Sequence, residues 1–172
     1  MIRNALEMRK FAETINYDEL YGTVSGLMKV FKAECYRGCL YCYLEHEVPE
    51  DVLEYLEDLG YGVRRWLNNT NEPVGYTITW SLAKESKICD ISVLTAEEMD
   101  EFAMSLDNGK NWSTLEGVMP CIEGSIYLNK NHIWLATGWS PELEKQLTDL
   151  GYTVYTNPTY RDKGQSYSVY WC

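Results

Sequence analysis

Cys35, Cys39 and Cys42 are the residues whose types and spacing come nearest to a reactive centre. Three thiolates at this spacing could hold three corners of a [4Fe–4S] cluster and leave one iron open for a ligand. His46 could instead complete a zinc set, provided that all four ligands converge tetrahedrally. A structural reading competes with both. In it, Cys35 and Cys42 are small apolar strand residues, and Cys39 lies beside a turn.

Two further groups of side chains could act on a partner. Glu45, Glu47, Glu50, Asp51, Glu54, Glu57 and Asp58 form a dense acidic run. It could dock on a basic groove, or simply form the solvated side of an amphipathic helix. Arg64, Arg65, Trp66, Trp139 and Arg161 could line a ligand cleft, because stacked aromatics with arginines suit a nucleotide-like molecule. Support for catalysis is thin. The two histidines, His46 and His132, lack a partner motif, and no nucleophile elbow, phosphate loop or His-Glu-x-x-His segment occurs. The residues therefore predict no catalytic group and no cofactor.

These residues must be positioned by a chain that reads as written twice. A shift of 91 positions lays residues 1–81 on 92–172 without a gap. Ala5, Glu7, Met8, Phe11 and Ala12 then meet Ala96, Glu98, Met99, Phe102 and Ala103. Asp58-Leu59-Gly60-Tyr61 meets Asp149-Leu150-Gly151-Tyr152, and Tyr76 and Trp80 meet Tyr167 and Trp171. A period of this kind shapes the whole fold prediction. The expected domains are repeat unit 1 over 1–81, a connector over 82–91, and repeat unit 2 over 92–172. Cys35, Cys39 and Cys42 meet Ile126, Lys130 and Ile133, which favours the structural reading of the cysteines.

Each repeat reads as α-β-β-α-β-β. Asn4 to Glu7 and Thr95 to Glu98 are capping boxes that open the first helix. A hairpin follows, Lys32–Tyr36 with Leu40–Leu44, and in the second copy Ser125–Leu128 with His132–Ala136. A second helix starts at Pro49-Glu50 or Pro141-Glu142 and ends at Gly60 or Gly151. The last strands are Gly62–Leu67 and Tyr76–Trp80, or Thr153–Thr156 and Tyr167–Trp171. The expected fold is α+β, with helices on an antiparallel sheet in a fused pseudo-two-fold dimer.

The net charge of −11 is spread over both halves. Such a surface repels phosphate backbones, so direct nucleic-acid binding is disfavoured and a basic protein partner is favoured. No apolar stretch approaches the ~20 residues of a membrane span, and the opening residues lack the apolar core of a signal peptide. Six cysteines without an export signal point to reduced thiols in a cytoplasmic setting. An exposed final strand could pair with a second copy.

Two resemblances follow. Thr95 to Ala103, Pro141 to Val154 and Tyr167 to Trp171 resemble segments of short phage and prophage α+β proteins, which implies a phage-borne gene. Cys35-x3-Cys39-x2-Cys42, with Tyr41 before the last cysteine, is similar to the cluster motif of radical S-adenosylmethionine enzymes. That resemblance implies a long α/β barrel, for which this chain lacks the length and the βα alternation. The expectation is a non-catalytic binding protein, an anti-defence inhibitor such as an anti-CRISPR, that occludes a basic surface of a host immune effector. The alternatives are a sponge for a nucleotide immune signal, an iron–sulfur protein, and a structural phage component.

Overall fold

The computed structural model describes residues 2–81, 93–106, 112–157 and 166–171. The chain is α+β and divides into two compact units, Asn16–Ser105 and Met1–Ile15 with Leu106–Cys172. The connector expected at 82–91 lies outside the described residues.

In the Asn16–Ser105 unit, α2 (Tyr17–Tyr21) and α3 (Val24–Tyr36) lead to β1 (Tyr41–Leu44). Next come α4 (Glu50–Asp58), β2 (Gly62–Leu67), β3 (Pro73–Thr79) and α5 (Ala96–Ser105). The strands form an antiparallel sheet in the order β1-β3-β2. One face of the sheet presents Cys42, Leu44, Tyr76 and Ile78 to the core. Leu27, Val30 and Phe31 of α3, Val52, Leu53 and Leu56 of α4, and Met99 of α5 are buried with them. Phe31 packs against Tyr61 and Trp80, with ring centres 5.3 and 5.4 Å apart.

The other unit holds α1 (Ala5–Glu13), α6 (Leu115–Tyr127), β4 (His132–Leu135), α7 (Pro141–Asp149), β5 (Thr153–Asn157) and β6 (Ser166–Tyr170). Its antiparallel sheet has the order β4-β6-β5. The pairings recur at the shift seen in the sequence: Cys42 faces Ile78 in one sheet, and Ile133 faces Val169 in the other.

Both predicted capping boxes are present. Asn4 and Glu7 exchange backbone and side-chain hydrogen bonds at 2.8 and 2.9 Å, and Thr95 and Glu98 do so at 2.8 and 3.3 Å. Gly60 and Gly151 end α4 and α7 at φ of 93° and 86°, where a side chain would be strained.

The predicted α-β-β-α-β-β order is corrected: the first strand of each expected hairpin is helical, and α2 (Tyr17–Tyr21) is a further helix in the first half. Lys32–Tyr36 is the end of helix α3, and the predicted strand at Ser125–Leu128 is the end of α6. Thr23 caps α3 by accepting from the Gly26 N–H, and Thr114 caps α6 by accepting from Gly117. Gly26 is needed there, because a Cβ would lie 2.1 Å from the Leu20 carbonyl oxygen. Over so short an apolar run, periodicity alone does not separate strand from helix. The burial of Leu27, Val30, Phe31, Glu34 and Cys35 at spacings of three and four resolves it as helix.

The compact units are also drawn differently from the expected repeats. Helix α1 packs with residues of the second half, and α5 with residues of the first. The Ala5 N–H donates to the Leu150 carbonyl at 2.9 Å, and the Ala96 N–H donates to the Leu59 carbonyl at 3.0 Å. Tyr152 Oη donates to the Arg3 carbonyl at 2.8 Å, and Tyr61 Oη to the Leu94 carbonyl at 2.9 Å. In the two backbone pairs, an N–H left unpaired at one helix start meets a carbonyl left unpaired at another helix end. Burial of Met8 and Met99 adds about 1.5–3 kcal/mol each.

Candidate functional site

The strand period of two sends Tyr41 and Tyr43 of β1 away from the core while Cys42 and Leu44 enter it. Pairing then fixes their neighbours. Tyr41 lies opposite Thr79, which faces Gly62; Tyr43 lies opposite Thr77, which faces Arg64; and Gly75 faces Trp66. The outer face of this sheet therefore carries two tyrosines, an arginine, a tryptophan and two threonines, with no carboxylate among them. Tyr41, Tyr43 and Trp66 remain 55%, 46% and 40% exposed.

The face is internally ordered. Trp66 Nε1 donates to Thr77 Oγ1 at 2.8 Å, and the Arg64 guanidinium lies 4.3 Å over the indole. Tyr43 meets Trp66 edge-on at 6.5 Å. Gly75 makes room for this, since a Cβ there would come 2.9 Å from the Tyr43 hydroxyl. Glu45 and Glu47 line a shallow cleft with Pro73, Val74 and Gly75.

The β4-β6-β5 sheet has an outer face of similar character. His132 stacks on Tyr170 at 4.9 Å, Tyr155 meets Tyr170 edge-on at 5.4 Å, and Trp134 and Tyr155 are 49% and 62% exposed.

The structure brings together only part of the predicted ligand cleft. Arg64 and Trp66 share one face, but strand alternation sends Arg65 to the other side. There it pairs with Glu50 and, at 3.8 Å, with Glu57. Trp139 belongs to the other unit, where its indole donates to Glu144 at 2.8 Å. Arg161 lies outside the described residues. Tyr41 and Tyr43 complete the face and were missed by the sequence reading. The available signal was the alternation Tyr-Cys-Tyr-Leu, which places both phenols opposite the buried positions.

The acidic run is solvated. Glu45, Glu47, Glu50, Asp51, Glu54 and Glu57 are exposed and Asp58 is half-buried, while Val52, Leu53 and Leu56 face the core.

The cysteine triplet turns out to be a helix exit. Cys35 is buried in the last turn of α3. The Gly38 N–H donates to its carbonyl, and the Cys39 N–H donates to the Glu34 carbonyl. Gly38 takes a φ of 78° to reverse the chain into β1, where Cys42 is buried. Arg37 holds the carboxylate of Glu34 at 3.0 and 3.1 Å. His46 stacks instead on Tyr21 at 4.2 Å. Among the described residues, no group of three His, Cys, Asp or Glu is placed to hold a metal ion. Burial, followed by the nearby Cys39, Glu34 and Asp100, pushes the Cys35 thiol up to about 12. It is therefore a neutral thiol at physiological pH, the opposite of an activated one.

Several buried acids respond to pH in the same direction. Burial raises Tyr152 to about 12 and raises Tyr61 and Tyr167 well above their usual 10.0. An acid that holds its proton more tightly when folded stabilises the fold below its unfolded pKa, and that stability is lost as pH rises. The unfolded thiol and phenols ionise near 9.0 and 10.0. The urea midpoint should therefore stay level from about pH 7 to 9 and fall steeply by about pH 11. Alkylation near neutral pH followed by peptide mapping should modify half-buried Cys39 well before Cys35.

The fold by itself defines a class, an α+β protein with two three-stranded antiparallel sheets among the described residues. Comparison with known proteins returns no match, whether with family models, curated proteins or solved structures. No helix among the described residues is long and apolar enough to cross a membrane.

Proposed function

We propose that this chain acts by binding another protein and not by catalysis, with Tyr41, Tyr43, Arg64 and Trp66 as the centre of the contact surface. The observation that carries this reading is an outer sheet face on which Tyr41, Tyr43, Arg64 and Trp66 are exposed and held in order, on a chain of net charge −11. Tyr, Trp and Arg are the residues enriched at interface centres and among binding hot spots, from which acidic residues are depleted. Tyr41, Tyr43 and Trp66 are each 40% or more exposed, which suits a macromolecule better than a small molecule enclosed in a pocket. The chain's carboxylates include Glu45 and Glu47, which line a cleft with Gly75 at one end of this face. They would steer a basic partner toward the molecule and raise the association rate.

A basic surface is typical of proteins that handle nucleic acid. That chemistry, together with the resemblance to phage proteins, supports an anti-defence inhibitor, such as an anti-CRISPR, that occludes a host immune effector. The chain is read as a tandem duplication with pseudo-two-fold symmetry. The equal strand orders and the constant 91-residue shift of the pairings support the duplication. One observation favours a second reading. The stacked Arg64 and Trp66 could also hold a nucleobase, as a sponge for a nucleotide signal would require.

The test is purification from a bacterial host followed by native mass spectrometry. A stoichiometric complex with a basic protein, lost in Trp66→Ala, is the expected result. An added mass of nucleotide size would shift the reading to the sponge. A bare chain, or a complex indifferent to Trp66, would remove the proposal.

A further inference from the structure

We propose that α1 is an exchangeable arm, which a second copy of this chain can supply to form a dimer. The protein builds one kind of helix socket twice. Leu59 and Tyr61 receive α5 through a carbonyl and a phenol, and Leu150 and Tyr152 receive α1 through the same two groups. In the Leu150 socket, Ala5 and Met8 are buried, Phe11 meets Tyr127 edge-on at 5.8 Å, and Arg3 lies 4.4 Å over Phe11 and 3.5 Å from Glu123.

The arm is joined to α2, a helix of the Asn16–Ser105 unit, by Thr14, Ile15 and Asn16 alone. A helix that packs with one unit while tethered by a short hinge to the other meets the requirements for domain swapping. The same hydrogen bonds and the same buried side chains would form whether α1 comes from its own chain or from a neighbour. Within one chain the tether keeps the local concentration of α1 high, so the closed monomer prevails in dilute solution. At high concentration, when α1 has been released, the socket can be filled by either chain. This inference stands on the α1 contacts and is independent of the outer sheet face.

The full-length chain would be unfolded in urea, refolded at micromolar and at near-millimolar concentration, and analysed by size exclusion with light scattering. The expected result is a dimer only after concentrated refolding, which persists for hours on dilution because leaving it requires α1 to undock. Lengthening the hinge with about six Gly-Ser residues after Ile15 should return the protein to monomer, because a relaxed tether favours closure within the chain. Thermal melting of the lengthened chain verifies that it folds. Absence of dimer at every concentration would overturn the proposal. So would a dimer that dissociates at once on dilution, or one that forms equally well with the long hinge.

Discussion

Trp66→Ala is expected to weaken partner binding by about 30- to 1,000-fold, the loss of about 2–4 kcal/mol typical of a central interface tryptophan. Trp66 is held in place before any partner arrives, by its hydrogen bond to Thr77 and by the Arg64 guanidinium on its ring. Little side-chain freedom is then lost on binding, which is the advantage of a preorganised contact. The loss should appear in the dissociation rate, measured by surface plasmon resonance. A charge reversal such as Glu54→Lys on the exposed side of α4 should instead slow association and flatten its salt dependence. Because Trp66 is substantially exposed, its removal should change stability by only about 0.5 kcal/mol. Equal binding by Trp66→Ala and the unaltered chain would dismiss the sheet face as the contact.

Trp80→Ala should destabilise the Asn16–Ser105 unit by about 3–5 kcal/mol, a large share of the stability of a domain this size. Trp80 follows β3, is fully buried, and packs against Phe31 at the point where the helices cover the sheet. Its removal leaves a cavity that close-packed neighbours can only partly fill. The indole N–H, however, is buried with no hydrogen-bond partner among the described residues. Trp80→Phe removes that unsatisfied donor along with some volume, so its cost should stay below about 1.5 kcal/mol. Urea unfolding followed by circular dichroism would measure both variants. Equal losses for alanine and phenylalanine would show that the indole's polar edge matters more than its bulk.

Much of the local structure was legible from particular residues. The capping pairs Asn4/Glu7 and Thr95/Glu98, and the helix-ending Gly60 and Gly151, act over one turn of chain and need no distant partner. The second helices and the final strands carried a clear period for the same reason. The helices at Val24–Tyr36 and Leu115–Tyr127 were not foreseen, their ends being read as strands after a loop. Lys32–Tyr36 alternates well enough to pass for a strand, and Pro120 within α6 discourages a helical reading. The cysteine spacing pointed toward a metal centre, yet it arises from a helix end and its left-handed exit at Gly38.

The candidate site was legible only in part. Arg64 and Trp66 stood out by residue type, but their neighbours Tyr41 and Tyr43 are joined to them through β3, a strand that comes later in the chain than either. Likewise, adjacency in sequence grouped Arg65 with Arg64, and the pleat then separated them.

The sequence by itself determined the capped helix starts, the glycine helix ends, the final strands, and which faces of these elements are apolar. Those properties depend on neighbours a few residues apart. Only the tertiary structure decided that α1 packs with the second half and α5 with the first. The pattern shared at the 91-residue shift gives the two helices and the two sockets matching residues, so local sequence does not assign one to the other. Which socket each helix fills depends on chain connectivity and on the packing of distant residues such as Leu59 with Ala96 and Leu150 with Ala5.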